Sequence, residues 1–482
     1  MRRKTYFITR ILILMAFILP GLLLAPPSFT SPSLAQSSSN IYLPMVLTID
    51  RANNAQGARI NAPHFDGGIS RAQSAIAWFG HVTPTYNYAD IRVGYNDEQI
   101  LIQLEVFDRR LWYDTTPSPA EMTNWDAATL YINTTGNQAV KLDENSYKLT
   151  AQLNWWEDRE NFQAFFRGSP LGWQPITLQF EAATGWRGDA PNNDSDDRGW
   201  VVSYYIPFSE LGLLTSPDEG SIWGVAIELH DRDDQQGTPI STQTWPPQFD
   251  ANKPDSWNQI HFGLPVFLPP QATNLETITI RHNLNGVVVE DAHVGGHTVC
   301  GQDYWPDFFD GWGDANYAGY DQINIQNQAD VADWPCFSKF YITFPLDQIP
   351  AGKVIVSAEL LMDQFGNSGQ GWEPPPQPSL IQVLTVSADW DESSITWNNG
   401  PLATENISQT IVDPLPVGPS AVERRWDLSR GVFQAYASGQ PLQLTLYAAD
   451  TEIHSGKYFY SSDVDDYMPE ARPTLLITFG DP

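Results

Sequence analysis

Between Ile91 and Asp108 the chain reads IRVGYNDEQILIQLEVFD. Two alternating runs flank the turn signal NDEQ, and in the second run Ile102, Leu104 and Val106 share one face while Gln103 and Glu105 share the other. Side chains of a strand alternate between its faces, so this period of two predicts a β-hairpin with one face on a core. The same period recurs in WDAATLYIN (Trp125–Asn133), GWVVSYYIPFSELG (Gly199–Gly212) and SIWGVAIELHD (Ser221–Asp231), and no helical stripe competes. An antiparallel β-sandwich is the expected result.

Outward from this region the chain divides at GLPVFLPPQATN (Gly263–Asn274), where three prolines cannot sit inside a central strand. Beyond it, FSKFYITFPL, LIQVLTV and TLLITF again alternate, and DLSRGVFQAYASG predicts one helix. There Asp427 or Ser429 would cap, Val432, Phe433 and Tyr436 would face the core, and Gly439 would stop the helix. A second sandwich of jelly-roll type follows. At the other end, MRRKTYFITR is a cationic segment before the apolar ILILMAFILPGLLLA, and a small-residue site ends at Ala35. That is the pattern of an export signal, with an uncleaved anchor as the alternative. The expected organisation is all-β: a signal peptide over 1–35, a linker over 36–45, a sandwich over 46–266, a Pro-rich linker over 267–273 and a second sandwich over 274–482.

With 26 Lys and Arg against 57 Asp and Glu, the formal charge is −31. Nucleic acid and anionic lipid are therefore poor partners. Cys300 and Cys336 are the two cysteines, and in an exported chain they predict a disulfide. The 57 acids guarantee accidental carboxylate pairs, but no nucleophile elbow, zinc pattern or phosphate-binding glycine loop is present. The expectation is a non-catalytic protein, with a hydrolase or polysaccharide lyase as the minor alternative.

The first half, through ADIRVGYNDEQILIQLEVFD, NWDAATLYINT, GWVVSYYIPFSELGL, GSIWGVAIELHDRDD and DSWNQIHFG, resembles the family 9 carbohydrate-binding modules and their DOMON-like relatives. The second half resembles the DNRLRE domain, a relative of the family 96 carbohydrate-binding modules. That likeness rests on KFYITFPLDQIPAGKVIVSAELLM, DWDESSITWNNGP, RRWDLSRGVFQAYASGQP and FYSSDVDDYMPEARPTLLITF. The resemblances imply an exported polysaccharide-binding protein that stacks sugar rings on aromatic side chains. A cell-surface structural or adhesion protein, or an accessory part of a glycoside hydrolase system, is the alternative.

Trp125 and Trp245 lie where the family 9 resemblance places its clamping tryptophans, with Trp112, Trp155 and Trp156 in reserve. Asn124, His230 and Asn258 are the candidate hydroxyl partners. For a metal, the strand phase is informative. The inward sets Ile102–Leu104–Val106, Ala128–Leu130–Ile132 and Val225–Ile227–Leu229 lead to Asp108, Asp126 and Asp231, and on to Asp233 if the last strand continued. Inward carboxylates need a cation or donors, and hard oxygen ligands suit calcium; strands that end earlier would leave the same aspartates capping turns. The loop NNDSDDRG (Asn192–Gly199) reads as solvated. In the second half, Trp390, Trp397 and Trp426 fall at recurring positions of the family 96 relatives and imply structural roles. Trp305, Trp312, Tyr317 and Tyr320 crowd the segment between the cysteines, as a binding surface or as a small satellite core.

Overall fold

The Asn96 side chain closes the opening hairpin by accepting the N–H groups of Glu98 and Gln99, each at 2.9 Å. Its strands, Tyr86–Tyr95 and Gln99–Phe107, pair antiparallel with Ile91 opposite Leu104 and Val93 opposite Ile102. This is seen in a computed structural model that describes residues 57–482 apart from 137–138, 155–158, 237, 239, 297–306 and 329–335. The predicted signal peptide and first linker, Trp155, Trp156, Trp305 and Cys300 lie outside the described residues. Cys336 is buried.

Ala75–Thr83, the hairpin, Gly199–Pro207 and Ala182–Arg187 form one five-stranded sheet. In the facing sheet Ala127–Asn133 lies between Ser146–Gln152 and Ile222–His230, and Asn258–Phe262 and Arg59–Ala62 extend the second side. The apolar phases read from the sequence meet between these sheets, where Ile91, Ile102, Leu104, Leu130, Ile132, Val225 and Ile227 are buried together. The second half is a second sandwich with its own core around Phe340, Ile342, Leu360, Trp426, Leu444 and Leu475. Its helix spans Ser429–Ser438, Val432 is buried in that core, and Gly439 ends the helix with φ of 68°. Asp427 accepts the Ser429 N–H at 2.9 Å just ahead of the first turn. The chain is nearly all β, as the period of two predicts.

The halves are joined by much more than the segment that connects them. A third core lies between them, in which Trp78, Val82, Tyr88 and Phe107 of the first half pack with Phe308, Trp312, Phe337, Trp397 and Tyr447 of the second. Trp312 therefore belongs to a junction core. Three side-chain amides of the second half bridge to first-half backbone. Gln382 takes the Ile76 N–H and donates to the Ser74 carbonyl; Asn398 does the same across Val82, and Asn406 across Asn61. Arg59 also pairs with Glu405, so one sheet continues from half to half. The Lys339 ammonium is enclosed by aromatic faces, 3.7 Å from the Trp397 ring centre and 4.0 Å from that of Trp78. Burial holds its pKa well below the ordinary lysine value, with Asp90 opposing.

This contact changes the meaning of the hairpin's polar face. Gln103 and Glu105 are fully buried rather than solvated. Glu105 pairs with Arg92 at 3.3 Å and Arg187 at 3.1 Å, while Arg92 Nε donates to the Ala449 carbonyl of the second half at 3.0 Å.

Candidate carboxylate centre and adjoining cleft

Three strand ends converge at one edge of the first sandwich. Asp108 follows the strand that ends at Phe107, Asp126 precedes Ala127–Asn133, and Asp231 follows the strand that ends at His230. Because each continues the inward phase of its strand, one carboxylate oxygen from each lies within 4.8 Å of the others. All three residues are buried.

Their partners are unequal. Asp126 accepts the Trp112 N–H at 2.6 Å on one oxygen and the Arg232 N–H at 2.9 Å on the other, and so ties together two loops that pass the cluster. Asp108 accepts the Arg110 N–H at 3.0 Å through Oδ1, while its Oδ2 and both Asp231 oxygens are shielded from water without a well-formed hydrogen bond. Burial first, and then the neighbouring aspartate charges, raise the carboxyls of Asp108 and Asp126 well above the usual range. Burial and then Asp233 push Asp231 up to about 8, a rise that the nearby Asn87 amide opposes. Three convergent oxygen donors whose ionised forms burial penalises fit a hard divalent cation such as calcium, which would hold them ionised. Asp108, Asp126 and Asp231 are the residues that would hold it.

Asp233 departs from the expectation. The strand stops at His230, so the alternation does not carry past Asp231, and Asp233 is only partly buried and outside the trio. Burial raises its carboxyl to about 6, with Arg110 and Arg109 drawing it back down. The acidic loop also differs from its reading as solvated. Asp197 is buried, its N–H bonds the Arg109 carbonyl at 2.8 Å, and Asp196 forms two 3.0 Å hydrogen bonds with the Arg109 guanidinium.

Beside the trio lies a cleft of about 390 Å³, lined by Asn124, His230, Arg232, Ile240 and Thr242 among others. Asn124 is exposed there. The His230 imidazole, 3.2 Å from Thr129 Oγ1, is held neutral with its pKa lowered to about 4, chiefly by burial and then by Lys148. Arg232 was not anticipated. Its guanidinium lies 3.7 Å from the ring centre of Trp125, covering one face, and donates to the carbonyls of Asn124 and Asp234. A lone arginine inside the acidic run HDRDD was the available signal.

The other expected aromatic and amide contacts lie elsewhere. Trp245 is 1% exposed, because Gln243–Trp245 forms a short strand against Ile227–Leu229 and puts the indole in the first core. Trp112 is 6% exposed and also buried. Asn258 is buried, with its oxygen accepting the Ala58 N–H at 2.7 Å. None of the three offers a free face to a sugar.

Comparison with known proteins bears on the second half. Residues 310–478 match the model of carbohydrate-binding module family 96. The matched stretch takes in Trp312, Trp397 and the helix. No curated protein matches the chain. Among solved structures, a family 9 carbohydrate-binding module from Caldicellulosiruptor kristjanssonii in complex with cellotriose matches at 16% identity and a TM-score of 0.30, covering 44% of this chain and 99% of that one. The same kind of module from that organism in complex with glucose matches at 17% identity and a TM-score of 0.30, covering 44% and 100%.

Proposed function

We propose that the chain is an exported, non-catalytic polysaccharide-binding protein, with calcium held by Asp108, Asp126 and Asp231 as a structural ion. The observation that carries the reading is the family-96 match over residues 310–478. The chemistry beside the trio supports it: the Asn124 amide, the His230 imidazole and the Arg232 guanidinium can bond sugar hydroxyls. An ion there would neutralise the buried charges and fix three strand ends next to that cleft. Export rests on the N-terminal sequence, and a Cys300–Cys336 disulfide suits that compartment.

Affinity electrophoresis of the full chain through gels containing different polysaccharides tests the binding, and melting with calcium or with chelator tests the ion. At least one polysaccharide should retard the protein. Chelation should lower the melting temperature by about 5 °C, the effect of losing a ligand present well above its dissociation constant. A protein that no polysaccharide retards is not a carbohydrate-binding protein, and an unchanged melting temperature removes the calcium. Release of new reducing ends from a bound polysaccharide would show catalysis.

A further inference from the structure

A second cleft opens between the halves. Trp78, His81 and Tyr86 form one wall, Gln243 and Pro247 the floor, and the turn Trp397–Leu402 the opposite wall, enclosing about 600 Å³. That volume is within the range of small-ligand sites. We propose that this inter-half cleft binds a segment of an uncharged polysaccharide, so that the two halves share one glycan site. The inference rests on the carbohydrate-binding reading above and extends it to a place that neither half forms alone.

Three observations carry it. The first is unused bonding capacity: Gln243 Nε2 and Oε1 and Trp397 Nε1, on two residues that line the cleft, have no hydrogen-bond partner within the protein. An amide and an indole N–H supply donors and an acceptor, which is the combination that hydroxyl groups require. Gln243 has its place because residue 80 is glycine; a Cβ there would come within 2.5 Å of Gln243 Oε1.

The second observation is charge. Among the described residues no Lys, Arg, Asp or Glu lines the cleft, on a chain with a formal charge of −31. A uronate or sulfated chain would enter a negative field with no cation to meet it. A neutral chain meets only amides, hydroxyls and rings, including Tyr86, which is 42% exposed.

The third is preorganisation and reach. Asn398 holds Val82 by its N–H and its carbonyl, and His81 Nδ1 lies 2.8 Å from the Asn398 carbonyl, so the opposing walls are pinned together. Thr242 lines both this cleft and the one beside the aspartates. The two clefts therefore adjoin, and a chain molecule can occupy both. The turn Trp397–Leu402 also lies within the family-96 match.

The test uses the full chain, with β-glucan, xylan and mannan as neutral probes and alginate and polygalacturonate as acidic ones. Tyr86→Ala and Gln243→Ala are compared with the wild type and with Leu214→Ala, a fully exposed control, after melting curves confirm that each variant is folded. At least one neutral probe should be retained. Each cleft variant should weaken that binding about tenfold, the worth of one stacked ring or one hydrogen-bonding group. Long oligosaccharides of the retained type should lose more affinity than its disaccharide. Retention that neither variant alters, or retention by the uronates alone, overturns the inter-half site while leaving carbohydrate binding intact; retention of nothing overturns both.

Discussion

Asp90 and Asp231 are buried aspartates of the same sandwich, and the protein treats them in opposite ways. Asp90 receives the Tyr88 hydroxyl at 2.7 Å, the Asn327 amide at 2.8 Å and the Tyr447 hydroxyl at 3.2 Å. Two of those three donors come from the second half. Asp231 has two other carboxylates beside it and no well-formed hydrogen bond to either oxygen. A buried carboxyl group can thus be satisfied by donors of its own chain, as at the junction, or left without them among other carboxyls, as in the trio.

The largest expected effect would break the junction side of this contrast. Asp90→Asn puts an amide N–H₂ where hydroxyl and amide donors point, and should cost about 3 kcal/mol in urea unfolding, the sum of one or two orphaned buried donors. Calcium and chelator should make no difference to that loss. A loss that calcium restores would merge the two sites that the structure keeps apart.

A smaller change should reverse its sign. With calcium, Asp231→Asn removes a charged ligand and should lower the melting temperature; with chelator it removes a buried carboxyl that folding must protonate and should raise it by about 3 °C relative to wild type. The same direction in both conditions would show that the trio is not ion-dependent.

The smallest effect concerns acid and the contact between halves. His261 bonds Gln259 Oε1 at 3.0 Å, with Arg59, Glu405 and Arg430 around it, the last two from the second half. Burial first, then Arg59, lower its pKa to about 4, whereas an unfolded histidine titrates near about 6.5. The unfolded chain then binds the extra proton, so His261 contributes stability that is fully present above pH ~6.5 and lost as pH falls towards ~4. The difference between wild type and His261→Gln should shrink along that interval. A constant difference from neutral to acid pH would show that His261 carries no folding-linked proton.

The strand phase made the trio legible. Leu104 and Val106 point inward, and the next inward position is Asp108; the same reasoning reaches Asp126 and Asp231. It failed one step later, at Asp233, because alternation ends with the strand and the sequence does not mark that end. Trp245 was misplaced for a related reason. Only three residues, Gln243–Trp245, pair as a strand inside what reads as a long loop, too few for a period to show. The buried Gln103 and Glu105 show a different limit. Alternation distinguishes two faces of a strand, but it does not say whether the polar face meets water or a polar surface contributed from hundreds of residues away.

The amide bridges at Asn61, Val82 and Ile76 also bear on whether either half can stand alone. A first half by itself would carry Asp90, Arg92 and the rings of Trp78 and Tyr88 into water, and a second half alone would expose Lys339 and Tyr447. The two halves of this chain are best regarded as one folding piece, each completing the other's buried surface.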